Sequence, residues 1–151
     1  MAASSGRPYQ VVILHNSMSD WNAADAFASA EAVVRMKLAL QAMGVAVASA
    51  LVVEDVATAL RGLDPRRHLI FNWCEGLDGY PRGYDLVPPV LEAHGFAYTG
   101  ADAWTLTMTQ NKAFARDVLV KHGVPTPLGK VYTRPSANAW KRFPALVKTA
   151  S

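Results

Sequence analysis

The stretch Tyr9-Gln-Val-Val-Ile-Leu14 decides the fold class of this chain. It is a short apolar run rich in β-branched residues, which is typical of a strand buried on both faces of a parallel sheet. The polar segment from His15 to Asn22 predicts a loop. A helix is predicted from Ala24 to Met43, with Gly44 placed to end it in a left-handed conformation. One side of this helix is marked by five residues, namely Phe27, Ala30, Val34, Leu38 and Gln41.

The same alternation of strand and helix continues to Tyr98. The predicted elements are strands at Val45–Val53, His68–Phe71 and Phe96–Tyr98 and helices at Asp55–Leu60 and Leu86–His94. This order predicts an α/β fold, a parallel sheet with helices on both faces. In such sheets ligands bind outside the carboxyl ends of the strands. The loops at 15–22 and 72–84 are therefore the expected binding loops, and we expect them to face each other.

The chain changes character beyond Gly100. Thr109 is placed to cap a helix that runs to Lys121, and the stretch Val124-Pro-Thr-Pro127 predicts an extended linker because the residue before a proline disfavours helix. Two short strands are predicted, at Lys130–Tyr132 and Ala145–Lys148. The expected organisation is a loose leader (1–8), an α/β domain (9–105) and the beginning of a second domain (106–151).

Composition argues against several classes of function. The chain has 151 residues, of which 51% are hydrophobic, so it can fill a core. Its net charge is +3. Its basic residues are scattered, which argues against a nucleic-acid interface. A single cysteine, Cys74, cannot form an internal disulfide and fits a reducing, cytoplasmic location. No signal peptide is recognised, and no run approaches the ~18 apolar residues of a membrane span.

A series of motifs in a fixed order resembles a known family. The series is Phe71-Asn-Trp-Cys-Glu-Gly76, Gly95-Phe-Ala-Tyr-Thr-Gly-Ala-Asp102, Asn111-Lys112, Gly123-Val-Pro-Thr-Pro127 and Pro144-Ala-Leu-Val-Lys148. In order and spacing it is similar to the D-alanine–D-alanine ligase group of the ATP-grasp superfamily. The resemblance covers residues 69 to 148, and the order of the motifs carries it because no single motif is specific.

The resemblance implies an ATP-dependent carboxylate–amine ligase that uses ATP and Mg²⁺ to activate a carboxylate as an acyl phosphate. It implies a pre-ATP-grasp-like α/β domain followed by the start of a small β-rich ATP-grasp subdomain. Lys112 and Lys148 match the two family lysines that contact ATP phosphates, where fixed ammonium groups offset negative charge. The implied partners are small-molecule substrates, with a homodimer as an option. The family's Mg²⁺ carboxylates and catalytic arginine would lie beyond Ser151, so the chain alone is expected to bind ATP weakly and to be inactive.

The two loops carry the candidate substrate-binding residues. Glu75 and Asp78 could bind an amino group, and Arg82 could hold a carboxylate through two hydrogen bonds. In the first loop Asp20 offers a carboxylate and His15 an imidazole. The alternative is a pair of polar loops held by their own hydrogen bonds, with His15 as a structural or solvated histidine.

Several observations keep other interpretations open. The first loop, His15-Asn-Ser-Met-Ser-Asp-Trp21, lacks the paired glycines and the glutamate of the family, so the substrate stays undetermined. A lysine at a helix start or strand end, such as Lys112 or Lys148, is ordinarily solvated. Cys74 is predicted to pack rather than to act as a nucleophile. A second hypothesis is a stand-alone α/β module that binds a small amino acid without catalysis. A dinucleotide-binding dehydrogenase is disfavoured because no G-x-G-x-x-G follows the first strand.

Overall fold

The structure is a computed structural model that describes residues 9–80, 83–134 and 140–148. The chain divides into two compact units, 1–103 and 104–151. The domain boundary expected at residue 105 from the family resemblance stays a prediction. In the described part of the chain, none of the helices has the length and apolar character needed to cross a membrane.

The first unit contains a four-stranded parallel sheet. Its strands are β1 (Gln10–Asn16), β2 (Val47–Val52), β3 (His68–Trp73) and β4 (Ala97–Tyr98). Their order across the sheet is β2-β1-β3-β4, and every neighbouring pair is parallel. The connecting helices are α1 (Ala23–Ala42), α2 (Val56–Ala59) and α3 (Val87–Ala93), with a 3-10 turn at Gly83–Leu86 before α3. The predicted α/β fold with a parallel sheet is confirmed.

Strand β1 is buried on both faces and separates two helical layers. Val12 and Leu14 belong to a core cluster with Ile70 of β3, with Val56 of α2 and its C-cap Leu60, and with Val87 and Leu91 of α3. Side chains alternate along a strand, so Val11 and Ile13 point to the opposite face. Helix α1 contacts β1 and β2 and contributes the buried Val33. The helices therefore cover both faces of the sheet.

Local signals set the ends of α1 close to where the sequence predicts them. Asn22 is the N-cap, and its side chain accepts a hydrogen bond of 2.9 Å from the backbone N–H of Asp25. Gly44 follows the helix with a φ of 78°, a left-handed conformation that costs glycine little. The apolar side of α1 marked by Phe27, Val34 and Leu38 does not pack on the sheet, because these three side chains are exposed.

Two predictions for the second unit are wrong, namely the N-cap of the helix that ends at Lys121 and the two short strands. Its helices are α4 (Ala103–Gln110), which begins at the unit boundary, and α5 (Lys112–Lys121). The N-cap of α5 is Asn111, whose side chain accepts from the N–H groups of Ala113 and Phe114, whereas the Thr109 hydroxyl donates back into α4. The strands predicted at 130–132 and 145–148 are irregular chain. A strand needs a neighbour for its backbone hydrogen bonds, and none of the described residues after β4 is in a strand.

Candidate functional site

The strand order places a topological switch point between β1 and β3. From β1 the chain crosses to β2 on one side and later reaches β3 on the other side. At such a point the loops that leave the carboxyl ends of the two central strands diverge, and ligands of α/β proteins bind in the crevice between them. Here these are the loop after β1 (17–22) and the loop after β3 (74–80).

Two hydrogen bonds join the end of β1 and the loop after it to the loop after β3. The backbone N–H of Glu75 donates to Oδ1 of Asn16 over 2.9 Å, and the backbone N–H of Ser19 donates to Oδ1 of Asp78 over 2.7 Å. A Cβ atom added at Gly76 would lie 3.3 Å from Cε of Met18, so the loops also approach closely. The predicted meeting of the two loops at one edge of the sheet is confirmed.

Asn16 is a member of this site that the sequence analysis missed. Its side chain is 4% exposed, and its Nδ2 has no hydrogen-bond partner among the residues that the structure describes. Because Oδ1 is committed to Glu75, the amide N–H groups are left as donors for an acceptor oxygen. The signal in the sequence was an asparagine two residues after the apolar run Val11–Leu14.

His15 lies within β1 and not in the predicted loop. It pairs in register with Leu51 on one side and Trp73 on the other. Alternation along the strand turns its side chain to the face opposite Asn16. Burial lowers the pKa of His15 below its ordinary value of 6.5, so the imidazole is neutral at pH 7. The geometry therefore separates His15 from the Asn16–Glu75 contact.

The predicted acidic residues have different surroundings. Asp78 accepts a hydrogen bond from the backbone N–H of Ser19. This agrees with the alternative prediction of polar loops held by their own hydrogen bonds. The side chains of Glu75 and Asp20 are exposed on the two loops, where carboxylates can pair with an ammonium group. Arg82 lies outside the described residues. The two loops thus offer two exposed carboxylates, and the end of β1 offers one buried amide donor.

Cys74 directly follows β3 and packs against β1. Its Sγ lies 3.7 Å from the carbonyl oxygen of Leu14, and the residue borders the core cluster. Burial raises the pKa of the Cys74 thiol to about 12, so the thiol stays protonated at neutral pH. A protonated, half-hidden thiol is a poor nucleophile, which agrees with the prediction that this residue packs.

Alkylation tests this assignment of Cys74. We expect iodoacetamide at pH 8 to modify the native protein at least ~100-fold more slowly than the urea-unfolded protein, because only the unfolded thiol titrates near its ordinary pKa. Mass spectrometry of the whole protein gives the rate, and glutathione under the same two conditions serves as the control. Equal rates for the native and unfolded protein would show that the thiol is accessible and reactive.

The two lysines assigned to ATP occupy exposed positions in the second unit. Lys112 is the first residue of α5, and Lys148 lies in irregular chain. Across the described residues there is no group of three or more His, Cys, Asp or Glu side chains that could hold a metal ion.

Comparison with known proteins shows one relative over part of the chain. The chain is 33% identical over 81 residues to an uncharacterized protein, y4sG, of Sinorhizobium fredii (strain NBRC 101917 / NGR234). The match covers 53% of this chain and 24% of that protein, so the chain spans about a quarter of the length of the relative it matches. No family model matches the chain, and no solved structure matches it.

Proposed function

We propose that the first unit holds the amino-acid substrate of an ATP-dependent carboxylate–amine ligase similar to D-alanine–D-alanine ligase. The observation that supports this most is the junction of the two loops at the switch point, where Asn16 and Asp78 hold the β1 and β3 loops together. Loops that are fixed to each other keep their other side chains in a defined arrangement, which binding requires. The order of motifs from residue 69 to 148 supports the proposed reaction class.

The chemistry of the junction suits an amino acid. The exposed carboxylates of Glu75 and Asp20 can pair with a substrate ammonium, and such charge-assisted contacts are stronger than neutral hydrogen bonds. The Asn16 amide donor, which has no partner among the described residues, suits a carbonyl or carboxylate oxygen. Arg82 stays the proposed partner of the substrate carboxylate.

The ATP-binding part of this proposal assigns the second unit to the start of the small ATP-grasp subdomain. Lys112 and Lys148 are the proposed phosphate contacts. Each exposed ammonium gains only about 1 kcal/mol from a charge 4 Å away in water. Strong phosphate binding needs several donors in a partly desolvated site. We therefore propose that residues 1–151 alone bind ATP weakly and perform no ligation.

Chemical-shift mapping by NMR tests the amino-acid site. We expect D-alanine to shift the backbone amides of Ser19 and Glu75, while propionate, which lacks the amino group, leaves them unchanged. Glu75→Gln should weaken the binding by about tenfold, the equivalent of one lost charge-assisted contact. Glu54→Gln, a matched change outside the two loops, should leave it unaltered. Shifts that are confined to other parts of the sheet, or equal shifts with propionate, would contradict the proposal.

A stand-alone amino-acid-binding module is the second candidate. It is favoured by the contrast between the loop junction, which is joined by hydrogen bonds within the first unit, and Lys112 and Lys148, which are exposed. Titration of the same sample with ATP and Mg²⁺ separates the two candidates. The ligase proposal expects a millimolar response at the Lys112 amide, whereas a module without catalysis gives no response there. Micromolar ATP binding would contradict both.

A further inference from the structure

The positive charge of the chain is concentrated in the second unit. Residues 104–151 contain eight Lys and Arg side chains and one acidic residue, Asp117, which gives a net charge of +7. Residues 1–103 contain seven Lys and Arg and eleven Asp and Glu, which gives a net charge of −4. Asp117 is paired with Arg116 over 3.1 Å, and the other seven basic side chains of the second unit are exposed. Such an excess of one sign indicates an anionic partner for this unit.

Helices α4 and α5 line an apolar groove in the same unit. The volume of the groove is about 220 Å³, and its largest lining side chains are Trp104, Met108, Phe114, Val118 and Leu119. The Trp104 side chain is 69% exposed, and α4 contains no charged residue. Contiguous exposed apolar surface is characteristic of interaction sites.

The lysines of α5 lie at the margins of this groove. At 100° per residue, Lys112 and Lys121 are each about 90° from the centre of the groove-lining side of α5, on opposite margins. Asp117 is about 130° from the same centre and points away from the groove. Helix α5 therefore has an apolar face with a lysine at each margin, the pattern of helices that lie in the interface of a membrane.

We propose that the groove face of the second unit, which is the apolar groove together with Lys112 and Lys121, docks on the surface of an anionic lipid bilayer. The apolar side chains enter the boundary between headgroups and acyl chains, and the lysines reach the anionic headgroups. Docking of this kind requires no membrane-spanning helix. It goes beyond the proposed ligase activity and does not depend on it. Because Lys112 is also a proposed ATP contact, the test variants leave it unchanged.

Spacing and chemistry favour a lipid surface over other anions. Lys112 and Lys121 are about 14 Å apart along α5, which is too far for one phosphate group but suits neighbouring headgroups. Five further basic residues lie between residues 130 and 148, in a segment that also exposes Phe143, Leu146 and Val147. Single-stranded nucleic acids bind to aromatic stacking platforms, whereas most of the exposed apolar side chains described in this unit are aliphatic. A bilayer offers an extended anionic surface above an apolar interior.

Sedimentation of the full chain with phospholipid vesicles tests the partner. We expect binding to equimolar phosphatidylserine and phosphatidylcholine with a partition coefficient on the order of 10⁴ M⁻¹, and at least about tenfold weaker binding to phosphatidylcholine alone. Lys121→Gln should weaken binding about fivefold, the effect of one cation near an anionic surface. Lys37→Gln, the same change in the first unit, should leave binding unaltered.

Two valines on α5 test which face docks. Val118 lines the groove, and Val120 lies on the opposite side of the helix, about 170° from the groove centre, and is 51% exposed. Val118→Glu should weaken vesicle binding about tenfold more than Val120→Glu. Both variants change the net charge equally, but only the first places a carboxylate in the apolar face. Trp104→Ala removes a largely exposed side chain, so it should keep the fold and also weaken binding about tenfold.

Several outcomes would overturn the proposal. These are no sedimentation with the anionic vesicles at about 1 mM lipid, equal binding to phosphatidylcholine alone, and equal losses for Val118→Glu and Val120→Glu. Circular dichroism checks the helix content of each variant, and undiminished binding of Trp104→Ala would overturn the proposal even if Val118→Glu loses helix. Binding of a single-stranded oligonucleotide without vesicle binding would assign the groove face to a nucleic acid instead.

Discussion

Replacing Leu91 with alanine is expected to lower the free energy of unfolding by about 2–5 kcal/mol, the range for deleting a large buried aliphatic side chain. Leu91 is fully buried on α3 and belongs to the cluster that joins this helix to β1 and β3. The branched end of the side chain, which alanine lacks, would leave a cavity that the surrounding sheet cannot close. Urea unfolding followed by circular dichroism measures the loss.

Leu86 provides a matched control a few residues earlier. Its side chain is 40% exposed, so Leu86→Ala should cost less than about 1 kcal/mol. The pair of variants tests whether α3 is held by its buried side, because Leu91 lies within α3 and Leu86 lies in the 3-10 turn that precedes it. Equal losses for the two leucines would contradict the packing of α3 on this face of the sheet.

Asn16→Ala is expected to cost about 1–3 kcal/mol of stability and to abolish the D-alanine shifts at Ser19 and Glu75. The substitution removes the acceptor of the Glu75 N–H and empties part of a nearly fully buried position. The Glu75 amide should then exchange its hydrogen faster, because the β3 loop opens locally. Hydrogen exchange read out by NMR gives this change residue by residue.

Asn72→Ala is the control for Asn16→Ala. Asn72 lies near the carboxyl end of the neighbouring strand, and its Oδ1 accepts a hydrogen bond of 3.3 Å from the backbone N–H of Cys74, within its own loop. Its loss should accelerate exchange at Cys74 and leave Ser19 and the ligand response largely intact. If Asn72→Ala abolishes amino-acid binding while Asn16→Ala does not, the bridge between the loops is not what organises the site.

The sheet was predictable because its signals are local. The apolar run Val11–Leu14 is buried in the sheet, and Gly44 marks a helix end by its backbone freedom alone. Strand length was less predictable, since β1 continues to Asn16 only because β2 and β3 pair with its last residues. The strands expected after residue 129 were wrong for the same reason, because a strand depends on a partner that its own sequence does not specify.

The candidate site was predictable at the level of loops and not of side chains. Parallel topology alone brings the loops after β1 and β3 to one edge. Which side chains meet there depends on pleat and register, and these put Asn16 in the junction and turn His15 away. Asp78 was expected to bind substrate, and its hydrogen bond to Ser19 is a contact between residues 59 positions apart. No pattern of neighbouring residues predicts a contact between residues so far apart in the sequence.

The bridge between the two loops also constrains how the site can change in evolution. Because Ser19 and Met18 on one loop contact Asp78 and Gly76 on the other, a substitution in either loop alters the geometry of both. Mutational effects in contacting segments are not additive. If the junction binds an amino acid as proposed, a new ligand preference would therefore need paired substitutions, one in each loop, and single changes would mostly weaken binding before a second change restores it.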